Sequence, residues 1–204
     1  MIMSRRIVFA TGNPHKIEEI RAILGDLADD IVTMKQAGVT ADIIEDGETF
    51  EENALIKAQA VAAYCPEDIV MADDSGLEVD YLGKEPGIRS SRFMGEDTPY
   101  EIKNAEIIRL LEGVPKEKRT ARFVCAAAAV VPGCEPIVVR GTIEGYIGWE
   151  PAGENGFGYD PIFYVHDLDC STAQMSPEEK NARSHRGNAM RMIRTRLEEV
   201  LEIS

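Results

Sequence analysis

The chain has 204 residues, enough for one full hydrophobic core and marginal for two. Its formal net charge of −14 argues against a nucleic-acid-binding surface, which is normally basic, but leaves room for a local positive pocket holding a nucleotide. With no apolar run near membrane-span length, no signal-peptide pattern and no C-x-x-C pairing among Cys65, Cys125, Cys134 and Cys170, a cytoplasmic chain is expected, with neither zinc nor a redox pair.

Apolar periodicity and turn signals predict, in chain order, a strand over 6–10, a helix over 14–24, a strand over 30–34 and a helix over 50–64. A strand over 69–72 and short strand pieces around 77–80 come next, then a helix over 98–112. Arg119 to Val131 and Glu135 to Gly148 are apolar-rich and joined by Pro132-Gly133, so they read as an antiparallel hairpin. A short strand near 161–165 and helices around 177–182 and 185–202 complete the chain. The opening βα units suggest a parallel part, and hence a mixed sheet with helices on both sides.

Four blocks carry possible chemistry. Ile7 to Glu19 passes from an apolar strand through Thr11-Gly12-Asn13 into a helix start, with Asn13 as N-cap, Pro14 at the first helical position and Lys16 one turn in. Free N–H groups and the positive end of the helix dipole favour phosphate there, although an ordinary βα turn has the same spacing. Ile69 to Leu77 ends an apolar run in Asp73-Asp74-Ser75-Gly76. The two carboxylates should diverge if the strand persists, and one could hold Mg²⁺ or orient a water; a solvated turn is the alternative.

In the third block, Glu154 to Phe163, Gly156 and Gly158 frame Phe157, with Tyr159 and Asp160 following. That suits close backbone approach and stacking on a base, or equally a β-turn with core aromatics. In the fourth, Ser176 to Glu179 reads as a capping box, and Ser184 as a cap placing His185 and Arg186 at a helix N-terminus. Basic side chains sit poorly with that end of the dipole unless an anion binds between them.

Together these blocks resemble the inosine triphosphate pyrophosphatase family, the XTP/dITP diphosphatases that clear non-standard purine nucleotides. The resemblance rests on T-G-N-x-x-K-x-x-E at Thr11 to Glu19, A-D-D-S-G-L at Ala72 to Leu77, G-F-G-Y-D-P-I-F at Gly156 to Phe163 and S-H-R-G at Ser184 to Gly187. T-F-x-E-N-A at Thr49 to Ala54 and P-G-I-x-S-x-R at Pro86 to Arg92 support it. It implies a single domain over residues 1–204, with an elongated two-lobed α/β fold: a mixed sheet flanked by helices, with a cleft between the lobes. It also implies a homodimer. The implied reaction is Mg²⁺-dependent hydrolysis of ITP, dITP or XTP to the monophosphate and pyrophosphate.

The resemblance also implies roles. Thr11, Gly12, Asn13, Pro14, His15 and Lys16 would form the phosphate-binding turn. Asp74 would be general base and metal ligand, with Glu45 the second metal-associated acid, although Asp46 and Glu48 stand close by. Ser75 and Lys180 would contact substrate. Phe157, Gly158, Tyr159 and Asp160 would hold the base, and His185 and Arg186 would read the purine edge. Gln174 and Arg89 depart from residues common in the family, Glu and an aromatic. The rival readings are a nucleotide-binding module without turnover and a pyrophosphatase of a pyrimidine nucleotide such as dTTP or UTP.

Overall fold

Ile7, Val8 and Phe9 are an unbroken apolar run, and all three are fully buried in β1 (Arg6–Phe9). A strand apolar on both faces suits a parallel sheet covered on both sides. In the computed structural model, which describes residues 6–11, 14–28 and 30–203, β1 lies between two parallel partners. They are β2 (Asp30–Thr33), with Ile7 opposite Ile31, and β3 (Ile69–Val79), with Phe9 opposite Met71. Four further strands are β4 (Thr120–Val130), β5 (Ile137–Ile147), β6 (Phe163–Val165) and β7 (Cys170–Ser171).

Among the described residues the sheet order is β2-β1-β3-β4-β5-β6-β7. The pairs β5–β6 and β6–β7 are antiparallel, which makes the sheet mixed, as expected. The flanking helices are α1 (Pro14–Leu24), α2 (Phe50–Ala62), α3 (Tyr100–Leu110), α4 (Pro177–Arg183) and α5 (His185–Ile203). No helix among the described residues is long and apolar enough to cross a membrane.

By its internal contacts the chain divides into two compact units. Met1–Asp74, Cys125–Gly141 and Arg186–Ser204 make the first. Its core joins Ile17, Ile20 and Leu24, one face of α1, to Ala189, Met190, Ile193 and Leu197, one face of α5. Ile7 and Phe9 of β1, Met71 of β3, and the alternating Cys125, Ala127 and Ala129 of β4 join the same cluster. Truncating Phe9 to alanine here would cost about 3–5 kcal/mol.

Ser75–Val124 and Thr142–His185 make the second unit. Leu77 and Val79 of β3 pack there with Ile107, Leu111, Phe123 and Phe163, the last two with ring centroids 4.4 Å apart. Arg119 is fully buried, and its guanidinium donates to the carbonyls of Ile147, Leu111 and Gly148. Those bonds are needed, because an unpartnered buried cation would be very costly.

Three local readings change. β3 does not stop at Ala72 but runs on through the Asp-Asp-Ser-Gly segment to Val79. Both carboxylates find side-chain partners, so the acidic pair need not turn out to water. The strand expected over 161–165 begins as a 3₁₀ turn, Asp160–Ile162, and only Phe163–Val165 pairs. The two-residue β7 was not foreseen, being too short to show periodicity. The capping box holds: Ser176 Oγ accepts from Glu179 N (3.2 Å), and Glu179 Oε2 accepts from Ser176 N (3.0 Å).

Candidate active site

In the first unit the first turn of α1 brings Lys16 to β3. Thr11 is buried just beyond β1, and α1 begins at Pro14. Gly12 and Asn13 lie outside the described residues, and of Pro14 and His15 only the helical backbone is described. Lys16 Nζ donates to Asp73 Oδ1 (2.9 Å). Arg186, 2% exposed, places Nε 3.3 Å from Asp73 Oδ2, and the Cys125 thiol lies 3.8 Å from the same oxygen. Asp73 is itself 2% exposed. Burial alone would push its pKa up, but Lys16 and Arg186, with Lys57 behind them, hold it well below the usual carboxylate range.

Asp74 meets a different set of groups, as neighbouring strand residues should. Its Oδ1 is 3.4 Å from Lys57 Nζ, and its Oδ2 accepts from Asn53 Nδ2 (3.2 Å). Lys57 Nζ also donates to Glu45 Oε2 (2.8 Å), so one ammonium joins the two acids expected to face a metal. Burial raises the Asp74 pKa, Lys57 opposes that, and Glu45 adds to it; the result lies above the ordinary value. Burial works against the Lys57 charge, yet Asp74, Asp73 and Glu45 together raise its pKa. Of the candidate acids Glu45, Asp46 and Glu48, Glu45 is the one whose carboxylate shares the Lys57 ammonium with Asp74.

Asn53 and Lys57 were not singled out as site residues from the sequence. They lie four residues apart on α2, whose buried face is Phe50, Asn53, Ala54, Lys57, Ala58 and Val61. An amide and an ammonium one turn apart on an otherwise apolar face are the signal that could have found them. Thr49 starts that helix, its Oγ1 accepting from Glu52 N (3.1 Å).

Two carboxylates around one cation suit a small dication, since Mg²⁺ is commonly bound by one or two carboxylates with substrate phosphates completing its shell. Among the described residues no group of three or more His, Cys, Asp or Glu side chains is assembled as a ligand set.

In the second unit the Gly156 to Asp160 loop is organised by Asp160. This buried carboxylate accepts from Lys180 Nζ (2.7 Å), Phe157 N (2.7 Å) and Thr172 Oγ1 (2.8 Å). Gly156 has φ 76°, and a Cβ there would collide with the same carboxylate. Tyr159 is buried, donates its hydroxyl to Ser90 O (2.8 Å) and meets the Tyr100 ring edge-on at 5.2 Å; burial pushes its pKa up. Asn104 Nδ2 holds the Gly158 carbonyl (3.1 Å). Phe157 differs from its neighbours: it is 39% exposed, with Lys180 Nζ 4.9 Å from its ring centroid.

His185 stacks on Phe123 with centroids 4.9 Å apart, and lines a narrow recess with Asp160, Thr172 and Lys180. Ser75 begins this unit, half-buried on β3. Lys16, Asp74, Glu45 and Arg186 thus belong to the first unit, and Phe157, Gly158, Tyr159, Asp160, Lys180 and His185 to the second.

Comparison with known proteins agrees with the resemblance carried by the motifs. The model of the Ham1 family matches residues 7–196. The dITP/XTP pyrophosphatase of Bacillus subtilis is 45% identical over 198 residues, 97% of this chain and all of that one. The protein of the same name from Caldanaerobacter subterraneus is 46% identical over 185 residues, 91% of this chain and 92% of its own. Among solved structures, the Staphylococcus aureus Ham1 protein superposes with a TM-score of 0.86 at 40% identity, covering 96% of this chain and 99% of that one. A HAM1 protein from Coxiella burnetii gives 0.87 at 38% identity, with the same coverage.

Proposed function

Because the chain belongs to the Ham1 family, we propose that it hydrolyses the non-standard purine nucleoside triphosphates ITP, dITP and XTP to the monophosphate and pyrophosphate. The observation that carries this reading is full-length similarity, at about 45% identity, to proteins named dITP/XTP pyrophosphatases. Removing these nucleotides would prevent their incorporation into nucleic acid.

Lys16 supplies a full positive charge in the first turn of α1, and Asp73 keeps its ammonium aimed while the phosphate chain is bound. Asp74 accepts a hydrogen bond from the attacking water and orients it. The Lys57 ammonium, 2.8 Å from Glu45 Oε2 and 3.4 Å from Asp74 Oδ1, draws the two carboxylates together against their mutual repulsion. Glu45 and Asp74 would hold Mg²⁺, which would neutralise charge on the phosphates when bound.

Phe157 offers an exposed ring for base stacking, while Asp160 and Tyr159 brace its loop and Asp160 also fixes Lys180. Donors from His185, Arg186 and nearby backbone would meet the 6-keto oxygen of hypoxanthine or xanthine. The adenine amino group leaves such donors unpaired, a mismatch of several kcal/mol in discrimination. The family reading also carries a cytoplasmic homodimer; a sedimentation mass of a single 22.5 kDa chain at micromolar concentration would count against the dimer.

Pyrophosphate release from ITP, XTP, dITP, GTP, ATP and dTTP, with Mg²⁺ and with excess chelator, tests the reading. Preference for the first three and dependence on the metal support it. No turnover at all would favour a binding module, and preference for dTTP a pyrimidine enzyme.

A further inference from the structure

Asn53 is fully buried on α2, and both halves of its amide are engaged. Oδ1 accepts from the Gly47 backbone N–H (2.9 Å), and Nδ2 donates to Asp74 Oδ2 (3.2 Å). The chemistry of the partners fixes this orientation: a backbone N–H can only donate, so Oδ1 must face Gly47 and the amide hydrogens must face the carboxylate. Gly47 stands two residues beyond Glu45, and the fit is close. A Cβ on Gly47 would come within 2.8 Å of Asn53 Oδ1 and of Glu52 Cβ.

One side chain therefore joins two segments that are distant in sequence, the backbone after Glu45 and the carboxylate end of Asp74. Lys57, one turn further along α2, bridges the same two acids with its ammonium. The ammonium supplies attraction, and a lysine on a flexible stem constrains direction poorly. The short amide, locked on a packed helix face, does the reverse: it adds no net charge and leaves Asp74 little rotational freedom.

We infer that Asn53 is a positioning residue for the hydrolytic step, orienting the Asp74 carboxylate and setting the Glu45 segment in register with it. The inference rests on the role proposed above for Asp74. Asn53 acts through that carboxylate, so its loss should lower turnover without weakening substrate binding, which draws on Lys16 and the base loop.

Two variants test this. Asn53→Asp keeps an acceptor for the Gly47 N–H but offers no donor to Asp74, whereas Asn53→Ala removes both bonds. With ITP, kcat is expected to fall about 10- to 100-fold while KM stays within about twofold, the size of effect that displacement of a reacting group produces. Should the buried carboxylate of Asn53→Asp prevent a cooperative melt, Asn53→Ala decides. Placed on an Asp74→Asn background, Asn53→Ala should cost less than about twofold more, because no base remains to be oriented. Native kcat in the folded single variants, a rise in KM that accounts for the loss, or multiplying losses in the double variant would overturn the inference. Near-native turnover of Asp74→Asn alone would overturn the reading of Asp74 and the inference with it.

Discussion

Asp73 and Asp74, adjacent on β3, are held by different cations: Asp73 by Lys16 and Arg186, Asp74 by Lys57. The first is buried and held strongly ionised; the second is less enclosed, with a pKa raised above the ordinary aspartate value. One acid thus has the environment of a structural counter-ion and the other that of a proton acceptor. The two should respond differently to the same substitution.

Asp74→Asn keeps the shape and removes the charge and most of the basicity. Turnover at saturating ITP and Mg²⁺ should fall by roughly two to four orders of magnitude, with little change in the melt. Asp73→Asn should leave two cations around a neutral amide, and breaking a buried ion pair from one side costs about 3–5 kcal/mol. Paired kinetics and thermal melts of the two variants separate these outcomes. A normal melt for Asp73→Asn would remove its structural role, and near-native turnover for Asp74→Asn would pass the base role to Glu45.

Lys57→Met should leave Glu45 and Asp74 facing each other without their shared cation. Turnover should drop by about 100-fold or more, as for other positioned charges in such sites. The variant should also gain more thermal stability from added Mg²⁺ than the native protein does, because the dication would relieve a repulsion that Lys57 normally offsets. Melts with and without Mg²⁺ provide the check, and equal metal responses in both proteins would contradict it.

On the proposed reading Lys16 would contact phosphate in both ground and transition states, so Lys16→Ala should act mainly on KM. A charge-assisted hydrogen bond contributes about 1.5–3 kcal/mol, equivalent to about a 10- to 100-fold rise. If KM held while kcat collapsed, a transition-state role would replace this one.

His185→Ala and Arg186→Ala should both erode the preference for ITP over ATP more than they slow ITP itself. Only Arg186→Ala should also lower the melting temperature substantially, because it strips the buried Asp73 of one of its two close cations. Selectivity ratios and melts measured side by side distinguish them. Equal losses on ITP and ATP for His185→Ala would assign it to phosphate binding or folding.

What the sequence determined by itself is local or motif-borne. The βα start at Ile7 to Lys16, the Ser176–Glu179 capping box and the mixed sheet follow from periodicity and capping chemistry, which act over a few residues. The motif blocks likewise carried the family, because residue types at fixed spacing survive without knowledge of the packing. Tertiary structure alone decided the partnerships. Arg186 reaches Asp73 across 113 residues and Lys16 reaches it across 57, and neither spacing has a local signature. The same holds for the continuation of β3 through Asp73-Asp74-Ser75-Gly76. By local rules that string ends a strand, and it persists because Lys16 and Arg186 meet one carboxylate while Asn53 and Lys57 meet the other. Asn53 and Lys57 stood in plain view on α2, yet their use depends on what the helix packs against. Charge pairing in a buried site is a property of the folded surroundings, so periodicity could mark the face that carries them but not the acids they serve.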